Sequence, residues 1–252
     1  MHEIDSWPPG GDDALLSKLA DRYIGPGNLL DLAGVLLDPA VGKLALVSSF
    51  GAESAVLIHL VLAVAPETDV VFVDTGKHFD ETYDYVNVLT HSVPIRNLKV
   101  AKPDQRLLAV EDSDGDLYKS NPDSCCTIRK TFALQDLLVE YDGWLTGRKR
   151  FQSGSRTTLP YFERDGAHLK VNPLILWDPD TLEAYFLRHD LPRHPLVARG
   201  YPSIGCQPCT RAVAPGESQR AGRWSGVDKV ECGIHLGPDG TFTRTVEKHR
   251  RR

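Results

Sequence analysis

The sequence lacks the features of a membrane or secreted protein. None of its apolar runs approaches the ~20 residues that a membrane-spanning helix needs. The first residues, Met-His-Glu-Ile-Asp-Ser-Trp, have neither the basic start nor the apolar stretch of a signal peptide. We therefore expect a cytoplasmic protein, in which reducing conditions keep thiols free to bind metal or to react.

A strong positive charge is also missing. The 252 residues include 29 Lys and Arg against 34 Asp and Glu, a net charge of −5, so no overall positive field attracts nucleic acid. Internal repeats and low-complexity segments are absent as well. Hydrophobic content of 41% and charged content of 25% are ordinary for a globular protein. What is present is enough chain for one substantial α/β domain.

Short apolar runs alternate with helical patterns along most of the chain. Buried parallel strands are predicted at residues 43–47, 70–73, 94–100 and 143–146. Helices are predicted in two pieces within 12–37 and at about 54–65, 80–89, 103–110, 125–140 and 179–189, with a hairpin around Arg164-Asp-Gly166. This alternation predicts an α/β fold with a doubly wound, mainly parallel sheet.

Ligands of such sheets bind beyond the carboxyl ends of the strands. The loops Ser48–Ser54, Asp74–Gly76 and Gly147–Arg150 each follow a predicted strand, so we expect them to converge on one crevice. In the first loop, small residues let backbone N–H groups approach an anion, and the following helix adds partial positive charge. It is not a GxxxxGK[ST] loop, because the lysine is absent. A tight turn capped by serines explains the same residues.

The five cysteines divide into four and one. Cys125 and Cys126 are adjacent, and Cys206-x-x-Cys209 forms a second pair. At a helix start, neighbouring side chains lie only about 100° apart around the helix axis, so both cysteines can reach one bound group that is larger than a single metal ion. A cuboidal iron–sulfur cluster with four thiolate ligands fits this pattern best; zinc is the main rival, and buried inert thiols explain it less well.

Cys232 is the cysteine left over. It lies in a glycine-flanked segment with few apolar residues, and Arg220, Arg223 and His235 are near enough in sequence to lower its pKa. A redox or nucleophilic role is the sharper hypothesis, and an incidental surface cysteine is the alternative. Basic residues beside the motifs are usually solvated surface, but an anionic cluster or ligand would also need them.

Together these motifs resemble the assimilatory adenylylsulfate (APS) reductases, the iron–sulfur branch of the APS/PAPS reductase family. The loop Ser48–Ser54 resembles the modified PP-loop of that family. The cluster motifs correspond to Cys125-Cys126-x-x-Arg-Lys and Gly205-Cys206-x-Pro-Cys-Thr-Arg, and the C-terminal signature to Pro215-Gly-Glu, Arg220-Ala-Gly-Arg-Trp224 and Glu231-Cys-Gly-Ile-His235. The likeness runs from about Lys43 to His235. Two segments depart from the family pattern: Glu53-Ser54, where many relatives have Glu-Asp, and Gly76-Lys77-His78 after the second strand. Both departures concern contacts with the nucleotide.

The resemblance implies an adenine-nucleotide α-hydrolase-like (PP-loop) fold and a [4Fe-4S] cluster on Cys125, Cys126, Cys206 and Cys209. It implies APS as the substrate, AMP and sulfite as the products, and thioredoxin or glutaredoxin as the reductant. Cys232 corresponds to the catalytic cysteine, which forms an S-sulfocysteine intermediate. The substrate-binding positions implied are Ser48, Ser49, Gly51, Glu53, Lys130, Gly147, Arg156, Arg220, Arg223 and His235.

We expect residues 1–209 to form the nucleotide-binding and cluster-binding α/β domain, and 210–252 a mobile segment with the catalytic cysteine. After Gly200 the periodicity stops, so this segment must dock, bind a ligand or move. A PAPS reductase or a dual APS/PAPS reductase is the nearest alternative. A PP-loop tRNA-thiolating enzyme would need a Ser-Gly-Gly-x-Asp-Ser loop and a basic face, and a zinc-stapled nucleotide-binding module leaves Cys232 unexplained. The oligomeric state, a homo-oligomer included, stays open.

Overall fold

The computed structural model describes residues 12–227, 229 and 231. At its start, α1 (Asp12–Tyr23) and α2 (Leu32–Leu37) flank a small hairpin of β1 (Ile24–Gly25) and β2 (Leu29–Leu30). The predicted break of the helical pattern at Gly25-Pro26-Gly27 is therefore confirmed. In the described ranges, no helix combines the length and the apolarity needed to cross a bilayer.

Buried apolar runs form the main sheet of the described chain. Its strands are β3 (Leu44–Ser48), β4 (Val70–Val73), β5 (Leu98–Ala101), β6 (Gly143–Leu145), β7 (Phe162–Asp165) and β8 (His168–Val171). They lie in the order β5-β4-β3-β6-β8-β7, and among them β7 alone runs antiparallel to its neighbour. The predicted mainly parallel sheet is confirmed, as is the hairpin, which joins β7 to β8.

Helices cover both faces of the sheet. They are α3 (Ser54–Val64), α4 (Asp80–Ser92), α5 (Gln105–Glu111), α6 (Leu117–Ser120), α7 (Pro122–Cys126), α8 (Ala133–Leu138) and α9 (Pro179–Arg188). Leu46 and Val70 belong to one buried core, together with residues of α3, α4 and α9. Ala45 and Val71, their neighbours along the strands, belong to a second core with residues of α8. Burial on both faces explains why these strands read as continuous apolar runs.

The path of the chain through the sheet fixes the position of the crevice. From β3 the chain proceeds to β4 and β5 on one side, and later returns to β6 on the other side of β3. This reversal is a topological switch point, where loops leaving adjacent strands separate and a ligand can enter. The loops after β3 and β6 therefore border the same opening.

The helix predicted over 125–140 is wrong at its start. The cysteine pair lies at the end of α7, not at the beginning of a helix, and a π-helical turn (Thr127–Phe132) connects α7 to α8. Pro122 occupies the first turn of α7, and the side chain of Asn121 accepts a hydrogen bond from Ser124 N–H. These are ordinary helix-start signals, and they precede the cysteines.

Residues 200–227 dock on the α/β unit. Thr210 and Arg223 form an isolated antiparallel bridge, and Arg211 N–H donates to Gly222 O at 2.9 Å. Gly222 permits this approach, because a β-carbon there would collide with the Arg211 carbonyl. Gln207 N–H donates to Lys77 O at 2.8 Å, which ties the segment to the loop after β4. The division of the chain at residue 210 stays a prediction.

Candidate active site

A cavity of about 250 Å³ opens at the switch point. Nine of the ten predicted substrate-binding residues line it: Ser48, Ser49, Gly51, Glu53, Lys130, Gly147, Arg156, Arg220 and Arg223. The tenth, His235, and the predicted catalytic residue, Cys232, lie outside the described residues. The fold thus gathers side chains from four separate parts of the sequence around one opening.

The loop after β3 is shaped by a serine and a strained phenylalanine. Ser48 Oγ accepts a hydrogen bond from Phe50 N–H at 3.0 Å, and Phe50 has a φ of 50°, which is unfavourable for a bulky side chain. Its fully buried ring packs edge-on against Phe72 at 5.3 Å between centroids, which holds the conformation. The loop backbone borders the cavity, and α3 begins at Ser54 directly behind it, so the positive end of the helix dipole faces the cavity.

The carboxylate of Glu53 is held within the protein. Its Oε2 accepts hydrogen bonds from Lys149 Nζ at 2.6 Å and from Gln152 Nε2 at 2.9 Å. The Lys149 side chain is only 2% exposed and also donates to Gly147 O at 2.8 Å. Burial lowers the pKa of Lys149, an effect that the charge of Glu53 opposes. Glu53 therefore joins the loop after β3 to the loop after β6.

Basic side chains outnumber acidic ones around the cavity. Of the residues that the structure describes, seven basic ones line it, against two acids, Glu53 and Glu231. The seven are Lys130, Arg148, Lys149, Arg156, Lys170, Arg220 and Arg223. Two of the basic groups pair with acids behind the wall: Arg148 with Glu163, and Lys170 with Asp165 at 3.3 Å. Burial lowers the pKa of Lys170 to about 8. The surplus of positive charge makes the cavity an anion site.

One hydrogen-bond donor of Arg223 has no partner among the described residues. Its Nη1 donates to Ile204 O at 3.3 Å, but its Nε is buried and makes no hydrogen bond within the described part of the chain. Leaving such a donor without a partner costs free energy. An anion in the cavity would satisfy it.

Glu231 occupies the outer part of the basic wall. Its carboxylate accepts hydrogen bonds from Arg156 Nε at 2.6 Å and Nη2 at 2.7 Å, and from Arg220 Nη2 at 3.3 Å. The Ser153 hydroxyl lies 3.5 Å from the same group. Glu231 thus links Arg156, which follows β6, to Arg220 of the C-terminal segment.

One part of the cavity wall is apolar. The side chains concerned are Leu46, Val47, Leu57, Val73, Leu134 and Trp144. An apolar wall beside a few convergent polar groups is the usual composition of a pocket for a flat organic ring with a charged substituent.

A second, smaller cavity is lined by the four predicted metal ligands, Cys125, Cys126, Cys206 and Cys209. All four are free thiols; Cys209 is half-buried and the others are buried. Burial raises the pKa of Cys125 to about 11, with Arg129 opposing the shift, and it also raises the pKa of Cys209. Among the described residues, no three Cys, His, Asp or Glu side chains converge closely enough to chelate a single metal ion.

The loop after β4 supports this second cavity. Thr75 Oγ1 lies 3.3 Å from Cys206 Sγ, and Thr75 O accepts a hydrogen bond from Arg129 Nη1 at 2.9 Å. Arg129 in turn pairs with the buried carboxylate of Asp112 at 2.6 Å. None of the residues 74–76 lines the large cavity, so the prediction that this loop joins the same crevice as the other two is wrong.

Three residues line both cavities: Lys130, Arg223 and Trp224. Trp224 is only 4% exposed. The guanidinium of Arg223 lies 4.5 Å from its ring centroid, and that of Arg220 lies 5.9 Å away, within the range of cation–π contacts. The backbone N–H of Trp224 donates to Cys209 O at 3.0 Å. These three residues therefore form the wall between the cavities, and the hydrogen bond of Trp224 connects that wall to a cysteine of the second cavity.

The expectation that the loop Gly147–Arg150 borders the crevice is confirmed for Gly147, Arg148 and Lys149, which line the cavity. Sequence reasoning does not find Gln152 or Lys170, which also line it, and it places Glu231 only within the C-terminal signature. Gln152 and Lys170 belong to none of the motifs, so no local signal indicates their place in the wall.

Comparisons with known proteins agree with this geometry. Residues 43–212 match the phosphoadenosine phosphosulfate reductase domain. An adenosine 5'-phosphosulfate reductase of Chelativorans sp. is 48% identical over 195 residues, which cover 77% of this chain and 80% of that protein. Another, of Mesorhizobium japonicum, is 47% identical over 194 residues, 77% of this chain and 76% of that protein.

A solved structure shows the same fold. The phosphoadenylyl-sulfate (PAPS) reductase from Candida auris, determined as a phosphate complex, is 27% identical and superposes with a TM-score of 0.63 over 82% of this chain and 98% of that one. The resemblance that the sequence motifs indicate is thereby confirmed. The chain belongs to the phosphoadenosine phosphosulfate reductase family.

Proposed function

We propose that this enzyme reduces adenylylsulfate to sulfite and AMP in assimilatory sulfate reduction. The observation that carries the proposal is the composition of the large cavity. Its apolar wall suits an adenine ring. Its basic wall suits a phosphosulfate, since it includes the Nε of Arg223, which has no hydrogen-bond partner among the described residues. The names of the relatives, at 47–48% identity, favour APS as the substrate.

Cys232 is the proposed nucleophile. Its thiolate attacks the sulfur of the sulfate group, and an S–S bond forms between Cys232 and that sulfur. The bond from the sulfur to the bridging oxygen breaks, and AMP leaves with that oxygen and the electron pair. The product on the enzyme is an S-sulfocysteine. Lys130, Arg220 and Arg223 would stabilise the negative charge that develops on the leaving phosphate.

A dithiol protein of the thioredoxin or glutaredoxin class completes the reaction. One of its thiolates attacks Cys232 Sγ, and sulfite leaves with the electron pair of the broken S–S bond. The second thiol of the partner then resolves the mixed disulfide, which restores the Cys232 thiol and oxidises the partner by two electrons. Such a reductant fits a reducing compartment, and we place the enzyme in the cytoplasm.

We propose that Cys125, Cys126, Cys206 and Cys209 hold a [4Fe-4S] cluster. Four thiols with no other ligand type around a shared cavity form the donor set of such a cluster. Zinc sites with four cysteines are the alternative, and the resemblance to the iron–sulfur branch of the family favours the cluster. When bound, the cluster would supply fixed negative charge beside Arg129 and Lys130, and the thiols supply the electrons of the reaction.

A PAPS reductase remains the second candidate, because the matched domain and the Candida auris structure carry that name. The four proposed cysteine ligands favour APS, because they are the motifs by which the sequence resembles the iron–sulfur branch, the APS reductases. The ratio of kcat/KM for APS to that for PAPS distinguishes the two. We expect this ratio to be well above one, and a ratio below one would favour the PAPS reductase.

Replacement of the nucleophile tests the reaction. The Cys232→Ser enzyme should retain its iron and sulfide and should still bind APS. It should neither accumulate radiolabel from APS labelled in its sulfate group nor release sulfite with thioredoxin. The wild-type enzyme, without thioredoxin, should carry one label per chain. Sulfite release by Cys232→Ser at the wild-type rate would disprove the assignment.

A further inference from the structure

The Glu231 carboxylate lies where the substrate anion is expected. It contacts Arg156 and Arg220, two of the residues that the resemblance assigns to the phosphosulfate. The side chains of these two arginines and of Glu231 are 12%, 15% and 23% exposed, respectively. The contact is therefore shielded from solvent and belongs to the cavity wall rather than to the outer surface.

The geometry of the contact is that of an oxyanion site. Glu231 presents one oxygen to Arg156 Nε and the other to Arg156 Nη2, at 2.6 and 2.7 Å. This pair of donors is the guanidinium edge that a phosphate or a sulfate also engages with two oxygens. The remaining nitrogen of Arg156, Nη1, donates to Gln152 Oε1. A second anion at the same edge would have to replace the carboxylate, since two like charges at this distance repel each other.

We propose that Glu231 is an internal competitor for the anion subsite of Arg156 and Arg220, and that the oxyanion of the substrate displaces it. The identity of the displacing ligand depends on the proposed function. Because Cys232 is the next residue in the chain, the exchange releases the residue that directly precedes the proposed nucleophile when the substrate arrives. Glu231 is thus a positioning residue. Its release is coupled to the binding of an anion and not to the binding of the nucleoside.

The proposal predicts that removing the charge of Glu231 changes the affinity for a charged ligand but not for a neutral one. Glu231→Gln keeps the size of the side chain and its acceptor oxygen but removes the charge. If the subsite is free of Glu231 in about 10–30% of ligand-free molecules, the variant should bind an anion three- to tenfold more tightly than the wild type. Adenosine, which has no charge to place in the subsite, should bind both proteins equally.

Isothermal titration calorimetry on the cluster-loaded enzymes, prepared without oxygen, tests this. The probes are ADP, whose β-phosphate takes the place of the sulfate of APS, and adenosine. The matched control is Glu217→Gln, since Glu217 pairs with Arg211 at 2.8 Å in the same segment but away from the cavity. We expect a lower Kd for ADP in Glu231→Gln alone, with unchanged adenosine binding.

ADP binding by Glu231→Gln that equals the wild type or is weaker would overturn the proposal, because Glu231 would then help to build the site. An equal gain in affinity for adenosine would also overturn it. The proposed function can fail independently of this proposal. If the wild-type enzyme releases no sulfite from APS while ADP still binds Glu231→Gln more tightly, the displacement of Glu231 by an anion is supported and the proposed reduction of APS is refuted.

Discussion

The guanidinium of Arg223 packs directly against Gly205. A β-carbon on Gly205 would lie 2.5 Å from Arg223 Cζ, so no larger residue fits while Arg223 keeps its place over the Trp224 ring. Gly205 also immediately precedes Cys206. One small residue thus positions a cation of the large cavity beside Cys206, which lines the second cavity.

Substitution of Gly205 should therefore reduce activity through Arg223. In Gly205→Ala the added methyl displaces the guanidinium from the anion site, and we expect kcat/KM for APS to fall by about tenfold, a loss of about 1.4 kcal/mol of transition-state stabilisation. Sulfite release measures the effect. Gly154→Ala is the control, because a β-carbon at Gly154 meets nothing within 4 Å. If the two variants are equally active, Arg223 does not depend on Gly205.

The Glu53–Lys149 pair should contribute to stability. Glu53→Gln leaves the charge of Lys149 buried and poorly compensated, and breaking such a pair from one side costs about 2–4 kcal/mol, which amounts to several degrees in Tm. The double variant Glu53→Gln, Lys149→Met removes both charges at similar volume and should recover much of the loss. Thermal unfolding of the three proteins gives the comparison. A single variant as stable as the wild type would contradict the expectation.

Removal of one predicted cluster ligand should separate metal binding from the thiol chemistry. In Cys206→Ser we expect most of the bound iron and sulfide to be lost, and sulfite release to fall at least tenfold, because Lys130 and Arg223 lose the structure behind them. Cys232→Ser is the matched variant for comparison: it should keep its iron and sulfide but no longer release sulfite. Iron and acid-labile sulfide assays decide the matter, and a full iron content in Cys206→Ser would refute the ligand assignment.

Acid should destabilise the enzyme through His194. Burial lowers the pKa of this histidine from 6.5 to about 4, with Glu81 opposing and His78 reinforcing the shift. Nδ1 accepts a hydrogen bond from Leu196 N–H at 3.2 Å, so Nε2 carries the proton toward Thr82 Oγ1 at 3.1 Å. The neutral ring therefore suits the folded state. Its contribution, on the order of 3 kcal/mol, is complete above pH 6.5 and is lost as the pH falls towards 4.

His194→Asn isolates this contribution. The asparagine oxygen can accept the Leu196 N–H but cannot titrate, so the variant should be less stable than the wild type at pH 7.5 and should lose less Tm between pH 7.5 and pH 5. Equal slopes of Tm against pH in the two proteins would show that His194 is not responsible.

The elements that the sequence predicts best are those whose residues are all apolar, because such segments must be buried on both sides. Val70–Val73 is apolar at every position, is buried at every position, and forms a strand with the predicted bounds. The cysteine helix was misplaced because hydrophobic periodicity begins only after Cys125, whereas Asn121 and Pro122, which start α7, are capping signals rather than apolar residues.

The contacts that complete the site could not be predicted in the same way. Glu53 meets Lys149 across 96 residues, and Arg156 meets Glu231 across 75. No local pattern connects residues so far apart, because their contact depends on the order of the strands. Each motif indicated a type of chemistry, while the topology decided which charges neutralise each other and which remain for a ligand.

The wall shared by Lys130, Arg223 and Trp224 has a thermodynamic consequence. If the proposed cluster on one side and an anion on the other favour the same arrangement of these three side chains, their binding is coupled. Linkage is reciprocal for affinities, so whatever tightens nucleotide binding through the wall must tighten binding of the proposed cluster by the same free energy. Substrate-saturated enzyme should consequently retain more iron at equilibrium with a chelator than the ligand-free enzyme does.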